Sequence, residues 1–145
     1  MLFGIPVDFA RWQPRVLGAL RIIAALLFLQ HGLAKLFGFP TPQPANFALF
    51  SLLGAAALIE VVGGVLLVLG LFSREAGFIL SGQMAVAYFY AHAPASFYPL
   101  ANRGEGAILF CFIFLLIAFS GPGAFALDNQ RAASRPHDRD ELKRR

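Results

Sequence analysis

Apolar residues occur along this chain in four long runs, at residues 16–37, 49–72, 76–91 and 105–120. A helix needs about 20 apolar residues to cross a bilayer, and the last two runs lie near the lower limit of about 17. The connections between the runs are short or rich in proline, which ends helices. The pattern therefore predicts an all-α fold, an antiparallel four-helix transmembrane bundle.

Glu60 is the single charged residue within the second run. A carboxylate at the centre of a membrane helix costs on the order of 3 kcal/mol, which the surrounding apolar residues more than offset. Ala56, Ala57, Gly63 and Gly64 lie three and four positions away, and small residues mark close helix contacts in membranes. Glu60 is therefore predicted to face into the bundle. There it either performs chemistry or pairs with a Lys or Arg to fix the register of the helices.

The composition and the charge distribution agree with a membrane protein. Hydrophobic residues make up 58% of the 145 and charged residues only 14%. Nine of the 12 Lys and Arg residues precede the first run, separate the second from the third, or follow the fourth. The positive-inside rule then places both termini in the cytoplasm of a multi-pass protein. The net charge of +4 reflects this topology, so membrane lipid is an expected partner and nucleic acid is not.

The chain divides into three parts. Residues 1–15 are predicted to form a cytoplasmic or interfacial N-terminal segment, which ends at Pro14 and Arg15 before the first helix. Residues 16–128 form the membrane domain, and residues 129–145 a basic, disordered cytoplasmic tail. Cys111 is the single cysteine, so the chain has no C-x-x-C pair and dithiol chemistry would belong to a partner. No metal site and no intrinsic cofactor are predicted.

Other polar residues lie within or beside the runs. His31 and Lys35 are four residues apart and share a helix face near the outer end. Lys35 is a candidate counter-ion for Glu60 or Glu105, or a side chain that snorkels to the outer surface. Arg21, deeper in the same run, is expected to snorkel towards the inner surface.

Four further residues are candidates for ligand binding. Asn102 and Glu105 form an N-x-x-E pattern, which is typical of a capped helix start, and the topology puts Glu105 on the same side as His31 and Lys35. Gln83 and Tyr88 could hydrogen-bond a ligand head group or bridge helices. These roles stay open from the sequence alone.

Three motifs occur in order along these runs: HGLAKLFG at residues 31–38, the E-x-x-G-G of residues 60–64 followed by LGLFSREAG, and NRGEGAILF running into GPGAFALD. In this order and spacing they resemble the DoxX family, over residues 16–128. The resemblance implies a four-helix protein of the bacterial inner membrane. It also implies an association with redox assemblies such as thiosulfate:quinone oxidoreductase.

The sequence supports one main hypothesis and two alternatives. The first is a membrane redox subunit that binds a quinone between its helices, with electrons from a partner protein. In it Glu60 donates protons, His31 relays them, and Lys35 and Glu105 set the electrostatics. The alternatives are a non-catalytic scaffold whose polar cluster only fixes the bundle, and a conduit for a small solute.

Overall fold

The computed structural model describes residues 8–134, and within that range every regular element is a helix. This confirms the all-helical class. Residues 1–7 and 135–145 lie outside the described residues, and with them much of the predicted N-terminal segment and tail. The elements are α1 (Phe9–Phe37), α2 (Leu52–Leu69), α3 (Ser73–Ala87), which runs on into a π-helical turn (Tyr88–His92), α4 (Pro99–Asn102), α5 (Glu105–Ser120) and α6 (Leu127–Ala133).

Helix α1 begins earlier than predicted. The expected start at residue 16, behind Pro14, is wrong, because the helix begins at Phe9 and includes Pro14. Asp8 caps this start by accepting a hydrogen bond from the Arg11 amide at 3.3 Å. Proline removes one hydrogen bond from a helix. Helix α1 continues for a further 23 residues after Pro14, to Phe37.

The four longest helices of residues 8–134 surround a common core. Helix α1 packs against α2, α2 against α3, α3 against α5, and α5 against α1. In each pair the residue numbers rise along one helix as they fall along the other, so contacting helices run in opposite directions. Between α1 and α2 the contacts that show this are Leu29 with Gly64 and Gly32 with Val61, and between α2 and α3 they are Gly63 with Leu80 and Ala56 with Gln83. Between α3 and α5 they are Gly77 with Phe114 and Ser81 with Cys111, and between α1 and α5 Phe28 with Phe114 and His31 with Phe110.

Arg21 fastens one end of this assembly. Its side chain is fully buried, so the expectation that it snorkels to the surface is wrong. The guanidinium donates to backbone carbonyl oxygens at the end of α2 and in the segment after α5, where no further helical turn follows to bind them. Its acceptors are the carbonyls of Leu67, Val68, Pro122, Ala124 and Phe125.

Asp128 completes the same end, which is called the Arg21 end below. Its carboxylate accepts the amides of Phe72 and Ser73 at 2.9 and 2.8 Å, and so caps the start of α3 from a distant part of the chain. Partial burial raises the pKa of the Asp128 carboxyl. The hydrogen bonds from Ser73 and Phe72 and the charge of Arg131 outweigh that effect and hold the pKa below its usual range.

Two glycines of α3 provide a matched test of the helix contacts. An alanine Cβ at Gly77 would lie 2.9 Å from the Phe114 carbonyl oxygen, whereas at Gly82 it would meet nothing within 4 Å. Gly77→Ala should therefore lower the free energy of unfolding by about 1–3 kcal/mol. Gly82→Ala should be neutral or stabilise by about 0.5–1 kcal/mol, because alanine favours helix. Unfolding by titration with a denaturing detergent, followed by circular dichroism, measures both, and equal effects would contradict the contact between α3 and α5.

Candidate functional site

Three helices bring Lys35, Glu60 and Gln83 together, and these residues are called the Lys35 cluster. The Lys35 ammonium forms an ion pair with Glu60 Oε1. The Gln83 amide donates to the same oxygen at 3.1 Å and to the Ala56 carbonyl oxygen at 3.2 Å. One carboxylate oxygen thus links α1, α2 and α3. Of the two counter-ions predicted for Lys35, the structure selects Glu60.

Small residues explain why the carboxylate lies inside the protein. A Cβ at Gly32 would lie 3.0 Å from Glu60 Cβ and 2.7 Å from Val61 Cγ2, so only glycine allows α1 to approach α2 this closely. Gly63 is equally close to Leu80 on α3. These contacts leave Glu60 only 1% exposed, which confirms that it faces into the helix assembly.

Lys35 forms the outer edge of the cluster. Its side chain is 22% exposed, whereas that of Glu60 is 2% exposed. Gln43, in the loop between α1 and α2, donates to the Lys35 carbonyl oxygen at 2.7 Å and closes the last turn of α1. The ammonium is therefore the more exposed part of the cluster, at the end opposite Arg21.

Two acceptor atoms of the cluster have no partner. Glu60 Oε2 and Gln83 Oε1 are both buried and accept no hydrogen bond from the residues that the structure describes. Buried polar atoms are normally paired, and an unpaired acceptor costs about 1–3 kcal/mol. The two atoms belong to groups joined by the hydrogen bond from the Gln83 amide to Glu60 Oε1. A group that donates hydrogen bonds would satisfy either acceptor, and a carboxylate is a group that can take part in proton transfer.

His31 and Glu105 do not join the cluster. Although His31 is one turn from Lys35, its exposed ring lies against Phe110 on α5, with the ring centroids 6.0 Å apart. Glu105 is exposed at the first position of α5. Within residues 8–134 the Lys35–Glu60 contact is the one ion pair, so the predicted pairing of Lys35 with Glu105 is absent there.

Asn102 and Tyr88 shape the loop before α5. The predicted N-x-x-E cap is wrong, since the N-cap residue is Gly104 and no side chain caps the helix. Asn102 is buried, accepts the Gly104 amide at 2.7 Å and donates to the Ser96 carbonyl oxygen at 2.8 Å. The Tyr88 ring lies beside Gly104, where a Cβ would come within 2.7 Å of it. Both residues therefore have local structural contacts, whereas Gln83 bridges helices inside the cluster.

Sequence reasoning missed two residues at this site. Gly32 makes room for Glu60, and its signal was a glycine one turn before Lys35 in HGLAK. Gln43 left no signal, because its contact with α1 depends on the path of an irregular loop.

The chain is similar to three proteins in two bacteria. It is 45% identical over 128 residues to an uncharacterized protein of Haemophilus influenzae, which covers 85% of this chain and 96% of that protein. It is 27% identical to the inner membrane protein YphA of Escherichia coli (85% and 95% covered) and 27% identical to the inner membrane protein YqjF of the same species (74% and 85% covered). No solved structure matches.

Apolar helices and relatives in the inner membrane together define a membrane protein. Within residues 8–134, α1 and α2 are the two helices that are long and apolar enough to cross a membrane, and α5 is a shorter apolar helix. The DoxX family model matches residues 16–93, more than half of the chain. The chain belongs to the DoxX family, as the motifs indicated.

A double-mutant cycle measures what the ion pair contributes to stability. Lys35→Met should lower the free energy of unfolding by about 3–5 kcal/mol, because it leaves the Glu60 carboxylate buried without its cation. Adding Glu60→Gln should recover most of that loss, since an uncharged pair is cheaper to bury. The same unfolding titration gives all four corners of the cycle. Arg103→Met, an exposed cation near the same end, is the control. Additive effects would contradict the ion pair.

Proposed function

We propose that all four long helices cross the membrane as an antiparallel four-helix bundle. Large apolar side chains point outwards from α3 and α5 as well as from α1 and α2, and an apolar surface of that extent suits lipid. Helix α3 and its π-helical turn together span 20 residues, about the length of a membrane helix. The exposed side chains of the two shorter helices are Phe78, Ile79 and Val86 on α3, and Leu109, Phe112, Leu116 and Phe119 on α5.

The charges at the two ends support an orientation with both termini in the cytoplasm. The Arg21 end carries the starts of α1 and α3 and the end of α5, and besides Arg21 four basic side chains lie there: Arg11, Arg15, Arg74 and Arg131. At the other end the basic residues of the described chain are Lys35, which is paired with Glu60, and Arg103. Positive charge accumulates on the cytoplasmic side of membrane proteins.

Cysteine labelling tests this topology. In a Cys111→Ser background, Ala45→Cys in the loop after α1 should react with an impermeant maleimide in intact cells. Ser134→Cys, at the end of the described chain, should react only after the cells are opened. Labelling of position 134 alone in intact cells would reverse the orientation. Labelling of both positions in intact cells would exclude an odd number of spans between them, and so the proposed three.

We further propose that the Lys35 cluster binds the polar head of a quinone that enters from the lipid, in a redox assembly with a partner protein. The observation that supports this is the buried carboxylate, held by a cation and an amide, with two acceptor atoms left free. A lipid-soluble molecule reaches such a site from the bilayer, and Lys35 gives a contact with water. The resemblance of the family to components of quinone-reducing assemblies points to the same class of ligand.

In the proposed quinone reduction this chain would handle the protons, and a partner protein would supply the electrons. Reduction of one quinone to the quinol takes two electrons and two protons, and the electrons would come from an electron-transfer protein that associates with the bundle. Glu60 is placed to bind or release a proton inside the protein, and Lys35 to exchange protons with the outer surface. His31 has no hydrogen bond to this cluster within residues 8–134, so the proposal assigns the relay to Lys35 instead.

A scaffold is the alternative function, and the ion pair itself favours it. Lys35, Glu60 and Gln83 join three helices, as a purely structural cluster would. In that case the protein would position other membrane proteins, and the cluster would hold no ligand. The two proposals differ in whether the cluster binds a small molecule.

Quinone binding by matched variants decides between them. The protein in lipid nanodiscs should bind a decyl-substituted benzoquinone saturably, as measured by isothermal titration calorimetry. The double variant Lys35→Met with Glu60→Gln should be folded yet bind at least about tenfold more weakly, because it lacks the charged groups that contact the head group. Ser81→Ala, on the face of α3 that contacts Cys111, is the control and should bind as the wild type does. Unchanged binding by the folded double variant would favour the scaffold.

A further inference from the structure

The buried part of the Lys35 cluster has more free hydrogen-bond acceptors than free donors. Both N–H bonds of the Gln83 amide are in use, one to the Ala56 carbonyl oxygen and one to Glu60 Oε1. The free atoms, Glu60 Oε2 and Gln83 Oε1, are acceptors. Lys35 keeps further N–H bonds, but its side chain is partly exposed, so water competes for them. The buried part of the cluster thus offers acceptors and lacks donors.

The orientation of the Gln83 amide is fixed by its neighbours. Its nitrogen lies 3.2 Å from the Ala56 carbonyl oxygen and 3.1 Å from Glu60 Oε1. A carbonyl oxygen and a carboxylate oxygen only accept hydrogen bonds. The reversed amide would place its oxygen against both of them, which is repulsive. The Lys35 ammonium, which only donates hydrogen bonds, contacts the same Glu60 oxygen, so that oxygen acts as an acceptor.

The two redox forms of a quinone differ in this respect. The oxidised form has carbonyl oxygens, which only accept hydrogen bonds, whereas the reduced form has hydroxyl groups, which donate them. A hydroxyl can donate to Glu60 Oε2 or to Gln83 Oε1, whereas a carbonyl oxygen placed against either of them would bring two acceptors together. A hydrogen bond to a charged acceptor is among the strong ones.

We infer that the Lys35 cluster binds the reduced, hydroxyl-bearing form of its ligand in preference to the oxidised form. This inference rests on the proposed binding of a quinone head group, and it adds which redox form the site selects. The expected preference is about tenfold or more. Through linkage, a tenfold preference raises the midpoint potential of the bound two-electron couple by about 30 mV, so the site would favour reduction of the quinone that enters it.

Three ligands of nearly equal shape test the inference. They are the decyl-substituted benzoquinone, the matching hydroquinone kept reduced under anaerobic conditions, and the dimethyl ether of that hydroquinone, which has two oxygens but no donor. Calorimetry on the protein in nanodiscs should give the tightest binding for the hydroquinone, and similar, weaker binding for the other two. Binding of the ether as tight as that of the hydroquinone would show that shape and not hydrogen bonding is recognised, and would overturn the inference.

Variants of the two acceptor groups provide the second arm. In Glu60→Gln the new amide must keep its oxygen towards Lys35 and Gln83, so its N–H bonds replace the free acceptor. The preference for the hydroquinone should then fall to about unity or reverse. Gln83→Met removes the other acceptor, and with it the hydrogen bond to Glu60 Oε1, but leaves both charges of the ion pair in place. It should reduce the preference, which keeps the test valid if Glu60→Gln does not fold. Ser81→Ala should retain the full preference.

The outcomes separate the inference from the function on which it rests. Saturable binding of the quinone that equals or exceeds that of the hydroquinone would overturn the inference and leave the quinone-binding function intact. Absence of saturable binding by all three ligands would overturn both. A preference for the hydroquinone that survives unchanged in both Glu60→Gln and Gln83→Met would place its origin outside the Lys35 cluster.

Discussion

The Lys35–Glu60 ion pair is the interaction on which the helix arrangement depends most. A carboxylate inside an apolar protein is tolerable only when a cation and hydrogen bonds replace the water that it has lost. Lys35 supplies the cation from α1 and Gln83 the hydrogen bond from α3, so the register of three helices is fixed relative to one oxygen atom. Gly32 and Gly63 follow from this constraint, since side chains there would hold the helices apart.

Arg21 solves the corresponding problem at the other end with a different chemistry. Its guanidinium has five N–H donors in a planar fork, and it contacts five backbone carbonyls at the ends of α2 and beyond α5. These carbonyls lie where helices end and where a membrane offers few other donors. Asp128 performs the opposite task for the free amides at the start of α3. The loops at this end are thus bound to the helices through their backbones.

The sequence predicted the features that depend on local spacing. The four apolar runs became α1, α2, α3 with its π-helical turn, and α5, and the glycines beside Glu60 correctly indicated its inward direction. Contacts between distant parts of the chain could not be predicted from local patterns. Arg21 reaches carbonyls 46 to 104 positions away, and no local pattern marks those partners. His31 illustrates a finer limit, because residues four apart differ by about 40° around a helix. That angle is enough to turn Lys35 towards α2 and His31 towards α5.

The contrast between the two ends bears on whether the Lys35 cluster is only structural. The donors of Arg21 all meet acceptors, and that cluster completes the helix ends as a structural element should. The Lys35 cluster joins helices too, yet it leaves two buried acceptors free where unpaired polar atoms are costly, whereas at the Arg21 end a single buried side-chain oxygen, Ser73 Oγ, is without a partner among the described residues. Replacing a buried ion pair with apolar residues of similar volume is often neutral or stabilising, so stability alone gives little reason to keep the charges. The proposed ligand, which donates hydrogen bonds, would satisfy these acceptors, and the fold alone does not supply a donor for them among the described residues.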